Sequence, residues 1–362
     1  MKATFPHMGG TYVAAKGFLE DLGVDVVIPP LCNKKTLEIG TKYSPETACL
    51  PLKINIGNYA QSIEEGADTI IITGSCGPCR FGYYGIIEKE ILKDMGYDVD
   101  IIVLDPPAED INGFLGKVKK ITNGKSAVKV LNSLYRAYIA AKELDRMDKM
   151  MFAIRPREIK RGDVKMIYNE YISKTSEAYG TREIIDLIRQ TQGKLKEVHI
   201  NEKIKPLKIG IVGEIYTVIE PFVNLYIEEK LGNMGVQVDR SMTVSKWIET
   251  HIFSKLAGIN KEWRINAAAK PYLKMLIGGH ARQCIGNTVL YAKDGYDGVI
   301  QLLPFSCMPE IVASSILPAV SKNEKIPYMT LVVDELTGES GYLTRLEAFV
   351  DMLKRRKEVL NL

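Results

Sequence analysis

The chain has 362 residues, of which 46% are hydrophobic and 25% are charged, with a net charge of +4. This length is typical of two or three globular domains, and no apolar run approaches the roughly 20 residues of a membrane span. Lysine and arginine are spread among acidic residues, so we expect no nucleic-acid partner. The start, MKATFPHMGG, has no apolar signal segment, so we expect a cytoplasmic protein without structural disulfides.

Residues 3–105 alternate between apolar runs and helical patterns. Short apolar runs that typify buried strands occupy an opening segment and then 24–28, 69–73 and 99–104. Amphipathic patterns between them predict helices over 12–22, after Pro51, and over 84–95. This order predicts a βαβ series with a largely parallel sheet.

The pattern changes after residue 105 and returns near residue 205. The middle is helical in period and rich in lysine, arginine and glutamate, and a second βα series then runs through LKIGIVGEIY, YLKMLIGGH, GVIQLLPFSC and PYMTLVVDE. A last helix is predicted over TRLEAFVDMLKRRKEVL, with a capping box at Thr344 and Glu347. We therefore predict an α/β protein with a first lobe over 1–107, a helical connecting region over 108–204 and a second lobe over 205–362.

The two lobes also match in their cysteine spacing. Cys49 precedes a helical segment and then GADTIIITGSC, which ends at Cys76; Cys284 precedes a helical segment and then GYDGVIQLLPFSC, which ends at Cys307. The intervals are 76 − 49 = 27 and 307 − 284 = 23 residues. The simplest interpretation is two related Rossmann-like lobes that face each other across a cleft.

The chain has six cysteines, and their positions in the predicted elements are not random. Cys49 and Cys79 each precede a helix, where the helix dipole favours a thiolate. The other four follow predicted strands, and ligands in open α/β sheets bind outside the carboxyl ends of strands. All six can therefore face the predicted cleft. They are Cys32, Cys49, Cys76, Cys79, Cys284 and Cys307.

The stretch GSCGPCR leaves several chemistries open. The order strand, CGPC and helix is that of a thioredoxin, but no tryptophan precedes Cys76 and four further cysteines share the edge. A zinc site needs four ligands and would leave two cysteines unexplained. Buried cysteines can also be simple apolar residues. Iron–sulfur ligation, which gathers thiolates from several loops, accounts for all six.

Four longer motifs resemble one known family. They are PETACLPLKINIGNYAQSIEEGAD, GSCGPCRFGYYG, DGVIQLLPFSCMPE and DELTGESGYLTRLEAFVDMLKRR. Together they resemble the 2-hydroxyacyl-CoA dehydratase component superfamily, and within it the CoA-activase-related and double-cubane cluster proteins. The resemblance covers both lobes and is weaker in the helical middle. It implies two lobes around an iron–sulfur centre that a separate ATP-hydrolysing activator, carrying its own [4Fe–4S] cluster, reduces.

The resemblance also implies a ligand count. Single-cubane members of the family use three cysteines, whereas a double cubane needs three thiolates for each cubane, hence six. We therefore expect all six cysteines to bind a double-cubane [8Fe–9S] cluster, with a [4Fe–4S] cluster as the alternative. The expected function is reduction of a small substrate or acyl-CoA in the cleft; the alternative is a non-enzymatic electron-transfer or cluster-carrier protein. The oligomeric state stays open, a homodimer included.

Two histidines are candidate catalytic residues. His7 in FPHMGG and His280 in GGHARQC each follow a predicted strand and could deliver protons beside a cluster, because histidine titrates near neutral pH. The alternative is a structural role in a loop. Glu310, three residues after Cys307, is expected to cap a helix or to contact a ligand residue.

Overall fold

The computed structural model describes residues 1–74, 80–104, 111–122, 124–250 and 261–360, with the backbone alone at 80, 81, 111 and 360. The chain divides into two compact units. Unit 1 comprises Met1–Leu144 and Tyr171–Arg189, and unit 2 comprises Asp145–Glu170 and Gln190–Leu362. Each is described by itself below.

Unit 1 is built on a sheet of four parallel strands in the order β2-β1-β3-β4. Alternating burial on β3, where Ile70 and Ile72 are buried, packs that strand against Ile56 and Tyr59 of the preceding helix. The elements are β1 (Lys2–Thr4), α1 (Thr11–Asp21), β2 (Asp25–Val26), α2 (Lys34–Tyr43), α3 (Leu50–Glu64), β3 (Thr69–Thr73), α4 (Tyr84–Asp94), β4 (Asp100–Leu104) and α5 (Ile111–Ile121).

Three helices follow, and the division between the units falls inside each of them. They are α6 (Ala127–Ile154), α7 (Asp163–Thr175) and α8 (Gly180–Lys196). The predicted helical character of 108–204 is therefore present, with its residues distributed over both units. That this region forms a domain of its own stays a prediction.

Unit 2 repeats the sheet of unit 1, with four parallel strands in the order β6-β5-β7-β8. All seven residues of β7 are buried, as expected for a central strand covered on both faces. The elements are β5 (Leu207–Gly213), α9 (Ile215–Ile219), α10 (Ile227–Asn233), β6 (Val236–Arg240), α11 (Val244–Ile248), α12 (Trp263–Ala269), α13 (Ala281–Lys293), β7 (Gly298–Pro304), α14 (Met308–Glu324), β8 (Tyr328–Val333) and α15 (Glu339–Leu360).

The prediction of an α/β fold with two Rossmann-like lobes is confirmed by these two parallel sheets. Within the described part of the chain, no helix combines the length and the apolar content that a membrane crossing requires. The predicted strands over 69–73 and 99–104 are found at Thr69–Thr73 and Asp100–Leu104. The predicted bounds of these two strands therefore agree with the structure to within one residue.

The strand predicted in YLKMLIGGH is wrong. Residues 272–280 form turns and bends. Met275 and Leu276 are 72% and 73% exposed, so the apolar run does not enter the core. Gly278 and Gly279 have φ values of 81° and 54°, which direct the chain into a loop instead of a strand. His280 therefore follows a loop and not a strand.

Two helix starts also differ from the prediction. Helix α2 was not predicted, although Asn33 and Thr36 form a capping box at its start, each backbone N–H donating to the other side chain at 3.2 Å. The capping box predicted at Thr344 is wrong, because α15 begins at Glu339. Thr344 lies inside that helix, and its hydroxyl donates to the Ser340 carbonyl at 3.0 Å.

The strand order fixes where a site can form in each unit. In the order 2-1-3-4 the chain leaves the first and third strands toward opposite sides, which opens a crevice outside their carboxyl ends. In unit 1 the residue at this edge after β1 is His7; in unit 2 the residues are Glu214 after β5 and Cys307 after β7.

Candidate functional site

Cys307 is held at the carboxyl edge of the sheet in unit 2. It is the residue before the first turn of α14, which contains Pro309. The Cys307 N–H donates to the Pro304 carbonyl at 3.1 Å, and its own carbonyl accepts from the Ile311 N–H at 2.9 Å. Ser306 has a φ of 64°, so the turn between strand and helix is tight. This position is the one predicted from the sequence.

Cys284 is close enough to Cys307 for the two thiols to interact electrostatically, although it lies in a different helix. It sits one turn inside α13, is 1% exposed, and its N–H donates to the His280 carbonyl at 2.8 Å. Burial raises the pKa of the Cys284 thiol well above its ordinary value, and Glu310 and Cys307 close by raise it further. The structure therefore brings these two predicted ligands together, although Cys284 follows no strand.

Glu310 is a buried acid next to this cysteine pair. The carboxyl is 0% exposed, and burial raises its pKa to about 7, although hydrogen bonds from Gln301 and Cys284 oppose the rise. The Gln301 amide donates to Glu310 Oε2 at 2.9 Å, and the Thr330 hydroxyl donates to Gln301 Oε1 at 3.0 Å. Glu310 Oε1 has no partner among the described residues. This carboxyl can therefore gain or lose a proton near neutral pH.

Glu214 is a second acid at the same edge; it is half-buried and was not predicted as a site residue. Its carboxylate accepts from the N–H groups of Tyr216 at 3.0 Å and Thr217 at 2.9 Å. Burial raises its pKa in spite of these bonds. Gly213, just before it, has a φ of 136°, and a Cβ there would lie 1.8 Å from the Leu302 carbonyl oxygen. The ends of β5 and β7 are thus in direct backbone contact.

His7 and Cys32 form the corresponding edge of unit 1. His7 is 3% exposed, its Nδ1 lies 3.7 Å from Cys32 Sγ, and its ring stacks on Tyr12 at 4.9 Å between centroids. Asn58 of α3 accepts from the His7 N–H at 3.2 Å and donates to the Pro30 carbonyl at 2.7 Å. Asn58 therefore fixes the segments after β1 and β2 to the same helix.

Cys49 caps α3, as the sequence predicts, and its sulfur is hydrogen-bonded to the Tyr84 hydroxyl. The local sequence repeats that of unit 2: a cysteine before the helix and a proline in its first turn, Pro51 here and Pro309 there. In both cases the thiol lies at the amino end of a helix of fifteen or more residues. The helix dipole there favours the thiolate.

Glycines let the helices at this edge pack backbone to backbone. A Cβ on Gly40 of α2 would lie 1.7 Å from the Lys53 carbonyl oxygen, and one on Gly57 of α3 would lie 1.8 Å from that of Thr36. The segment after Cys32 and the segment after Cys49 are thereby held side by side. Unit 2 has a similar contact, since a Cβ on Gly286 would lie 2.3 Å from the Ile265 carbonyl oxygen.

Glu88 is a buried acid of unit 1 that the sequence analysis also missed. It is 0% exposed, and burial raises its pKa to about 8. The Asn55 amide donates to Glu88 Oε1 at 3.0 Å, while Oε2 has no partner in the described part of the chain. The sequence does carry a signal: Glu88 stands on the apolar face of α4 that also presents Tyr84 and Leu92.

The remaining predicted site residues differ in what the structure shows. Cys76 and Cys79 lie outside the described residues. His280 is the cap residue of α13, and a Cβ on the neighbouring Gly279 would lie 2.6 Å from Pro309. The start of α13 therefore packs on the start of α14. That the six cysteines are ligands, and that His7 and His280 are catalytic, stay predictions.

The comparisons with known proteins identify one family. A comparison with curated protein sequences returns no match. The family model described as "2-hydroxyglutaryl-CoA dehydratase, D-component" matches residues 13–353, which takes in both parallel sheets except the first strand. Since the match extends over nearly the whole chain, this protein belongs to the 2-hydroxyglutaryl-CoA dehydratase D-component family.

Proposed function

We propose that this chain is the cluster-carrying component of an enzyme of the 2-hydroxyacyl-CoA dehydratase type. Its six cysteines would bind an iron–sulfur cluster, a double-cubane [8Fe–9S] cluster in preference to a [4Fe–4S] cluster. Electrons would come from an ATP-hydrolysing activator with its own cluster, and the substrate would be a small molecule or an acyl-CoA. Thiolate ligation of this kind requires a reducing compartment such as the cytoplasm. Family membership supports the dehydratase assignment.

The observation that carries the proposal is the pairing of Cys284 with Cys307 at the carboxyl edge of β7. The buried Cys284 thiol, close to the Glu310 carboxyl, does not ionise easily, because a buried negative charge needs a compensating cation. A bound metal supplies that charge and deprotonates its thiol ligands. The donor set therefore fits a thiolate-bound metal cluster.

The surrounding residues have definite tasks in this proposal. The cluster, when bound, supplies low-potential electrons. Glu310 of unit 2, held by Gln301, keeps a proton available near neutral pH. His7 of unit 1, 3.7 Å from Cys32, offers a second proton-transferring group.

An enzyme is favoured over a simple electron carrier by a cavity in unit 2. A cavity of about 420 Å³ opens beside the start of α13, and His280 is part of its wall. This volume lies in the range of small-molecule sites, roughly 300 to 1,000 Å³. A carrier that only exchanges electrons with protein partners has no need of such a space.

Metal analysis of the full chain, purified without oxygen, tests the proposal. We expect about eight irons and a similar amount of acid-labile sulfide per chain. About four irons would retain the iron–sulfur function but replace the double cubane by a single one. Zinc alone, or metal-independent disulfide reduction that is lost in Cys76→Ser, would overturn the proposal in favour of the zinc or dithiol alternatives.

A further inference from the structure

The cavity beside α13 has walls that point to a particular kind of ligand. Its described walls come from the segment after β6, from the start of α12 and from one face of α13. On α13 that face presents Gln283 and Asn287, whereas Cys284 and Thr288 point to the interior and are 1% and 0% exposed. Neighbouring residues on a helix are about 100° apart, so the cavity and Cys284 lie on adjacent faces of the same two helical turns.

Both tryptophans of the protein line this one cavity. The chain has only two, Trp247 in α11 and Trp263 at the start of α12. Trp263 is 65% exposed. So much exposed surface on the largest apolar side chain is unusual, because its contact with water costs free energy. Indole rings at a cavity wall suit a flat aromatic ligand, because stacking adds to the burial of apolar surface.

Each charged side chain of the wall has a polar partner. The Lys261 ammonium lies 3.4 Å from the Glu249 carboxylate, and the Lys246 ammonium donates to the Ser241 carbonyl at 3.3 Å. The Gln283 amide nitrogen lies 3.3 Å from both carboxylate oxygens of Glu262. With cations and anions balanced, the cavity offers no strong preference for a charged ligand.

One polar atom in the wall lacks a partner. Gln283 Oε1 is buried and accepts no hydrogen bond within the described residues. A buried acceptor without a donor costs free energy, which a ligand N–H would recover. The geometry combines two indoles with one unsatisfied acceptor.

We propose that this cavity binds an uncharged planar aromatic group bearing an N–H donor, which stacks on Trp263 and Trp247 and donates to Gln283 Oε1. We take the bound aromatic group to be part of the substrate, because α13 also carries Cys284. In this respect the inference rests on the proposed function. Binding of an aromatic amide in the cavity does not itself depend on the iron count. Aromatic amides are the simplest compounds with the required chemistry.

Four small probes test separately the three ligand properties that the proposal requires: a planar ring, an N–H donor and no charge. Benzamide has the ring and the N–H donor; acetophenone keeps the neutral ring without the donor; benzoate replaces the donor by a negative charge; and cyclohexanecarboxamide keeps the amide without a planar ring. Because both tryptophans line the cavity, the tryptophan fluorescence of the full chain, excited at a wavelength that its 18 tyrosines do not absorb, reports on this site. Binding is also measured by calorimetry, which does not depend on the tryptophans.

We expect benzamide to quench the tryptophan fluorescence and to bind roughly 10-fold more tightly than each of the other three probes, with a dissociation constant in the millimolar range for a ligand of this size. Gln283→Leu should abolish the preference for benzamide over acetophenone. Trp263→Leu should weaken both about equally. The control Gln190→Leu, an exposed glutamine on α8, should change neither.

Equal binding of all four probes, no binding of benzamide, or an unchanged preference in Gln283→Leu would overturn the inference. Iron is counted on the same samples. Selective benzamide binding in a protein without iron would leave this site standing and reject the proposed function. A full iron count without benzamide binding would reject this binding site and leave the proposed function standing.

Discussion

The two units share one strand order, yet each buries its glutamate in a different place. In unit 1, Glu88 of α4 takes its hydrogen bond from Asn55 on the neighbouring helix α3. In unit 2, Glu310 of α14 takes its bond from Gln301 on the strand β7. Both acids are fully buried and both have a raised pKa, to about 8 and about 7.

The difference decides what each acid can reach. An amide on the strand holds Glu310 at the sheet edge, where it contacts Cys284. An amide on the helix holds Glu88 between α3 and α4, while the cysteine at the start of α3 is bonded to Tyr84 instead. The same topology thus supports an acid beside thiols in one unit and an acid inside a helix pair in the other. The strand order alone therefore does not decide which side chains a buried acid meets.

The largest effect should come from the two cysteines that cap helices, Cys49 in unit 1 and Cys307 in unit 2. If the proposed ligand set is right, Cys49→Ser and Cys307→Ser each remove a thiolate, and each should lose at least half of the bound iron. Ser315→Ala, on the exposed side of α14, should keep the full count. Metal analysis of anaerobic preparations measures this. Full iron in Cys49→Ser, with loss only in Cys307→Ser, would show that the two caps are not equivalent.

A smaller but still large effect is expected at the glycines that hold the helices together. Gly57→Ala should destabilise unit 1 by about 3 kcal/mol or more, because its Cβ would lie 1.8 Å from a backbone oxygen. Gly286→Ala, with 2.3 Å to the nearest oxygen, should cost unit 2 less, about 1 to 2 kcal/mol. Hydrogen exchange of peptides from α3 and α13 measures each unit separately.

The control for this pair is Gly193→Ala in α8. No atom lies within 4 Å of its built Cβ, so alanine should be neutral or stabilise the helix by about 0.5 to 1 kcal/mol. Equal protection of α3 in Gly57→Ala and in the wild type would contradict the backbone contact between α2 and α3.

The last effect builds up gradually with pH and concerns Glu88. Its pKa is about 8 in the folded protein against 4.5 for an ordinary glutamate, so the folded state holds the proton more tightly than the unfolded state. The free energy of unfolding should therefore fall as the pH rises between these values, by about 3 kcal/mol up to neutral pH. Glu88→Gln cannot ionise and should remove most of this loss.

Hydrogen exchange of α3 and α4 peptides at pH 5 and pH 8, corrected for the intrinsic exchange rate, measures this dependence. Glu90→Gln, an exposed glutamate two residues along the same helix, should behave like the wild type. A pH dependence that persists unchanged in Glu88→Gln would show that another group is responsible.

The sequence predicted the parts of the fold that depend on local periodicity. The strand at Thr69–Thr73 and the cap at Cys49 follow directly from hydrophobic runs and their flanking residues. The adjacency of Cys284 and Cys307 depends instead on how α13 packs on α14, through the contact of Gly279 with Pro309. Such packing has no local pattern, and the false strand before His280 shows that an apolar run can lie at the surface.

The buried polar residues that were not predicted from the sequence show the same limit of local patterns. Gln301 is a single polar residue in the fully buried strand β7, and Glu88 is a single acid on an apolar helical face. Each could have been marked as unusual from the sequence alone. Their partners could not, because Glu310 and Asn55 are chosen by the geometry between elements and not by their distance along the chain.

The backbone contact between α2 and α3 also bears on how a cofactor is taken up. Helices that touch at Gly40 and Gly57 cannot slide or turn without opening voids along their crossing, so the residues at their amino ends keep their spacing when no cofactor is bound. The conformational entropy of Cys32 and Cys49 is then lost when the protein folds, so ordering these residues does not weaken cofactor binding. Cofactor-free protein should consequently accept a cluster at a rate limited by access to the thiols, with no denaturation and refolding step in the reconstitution.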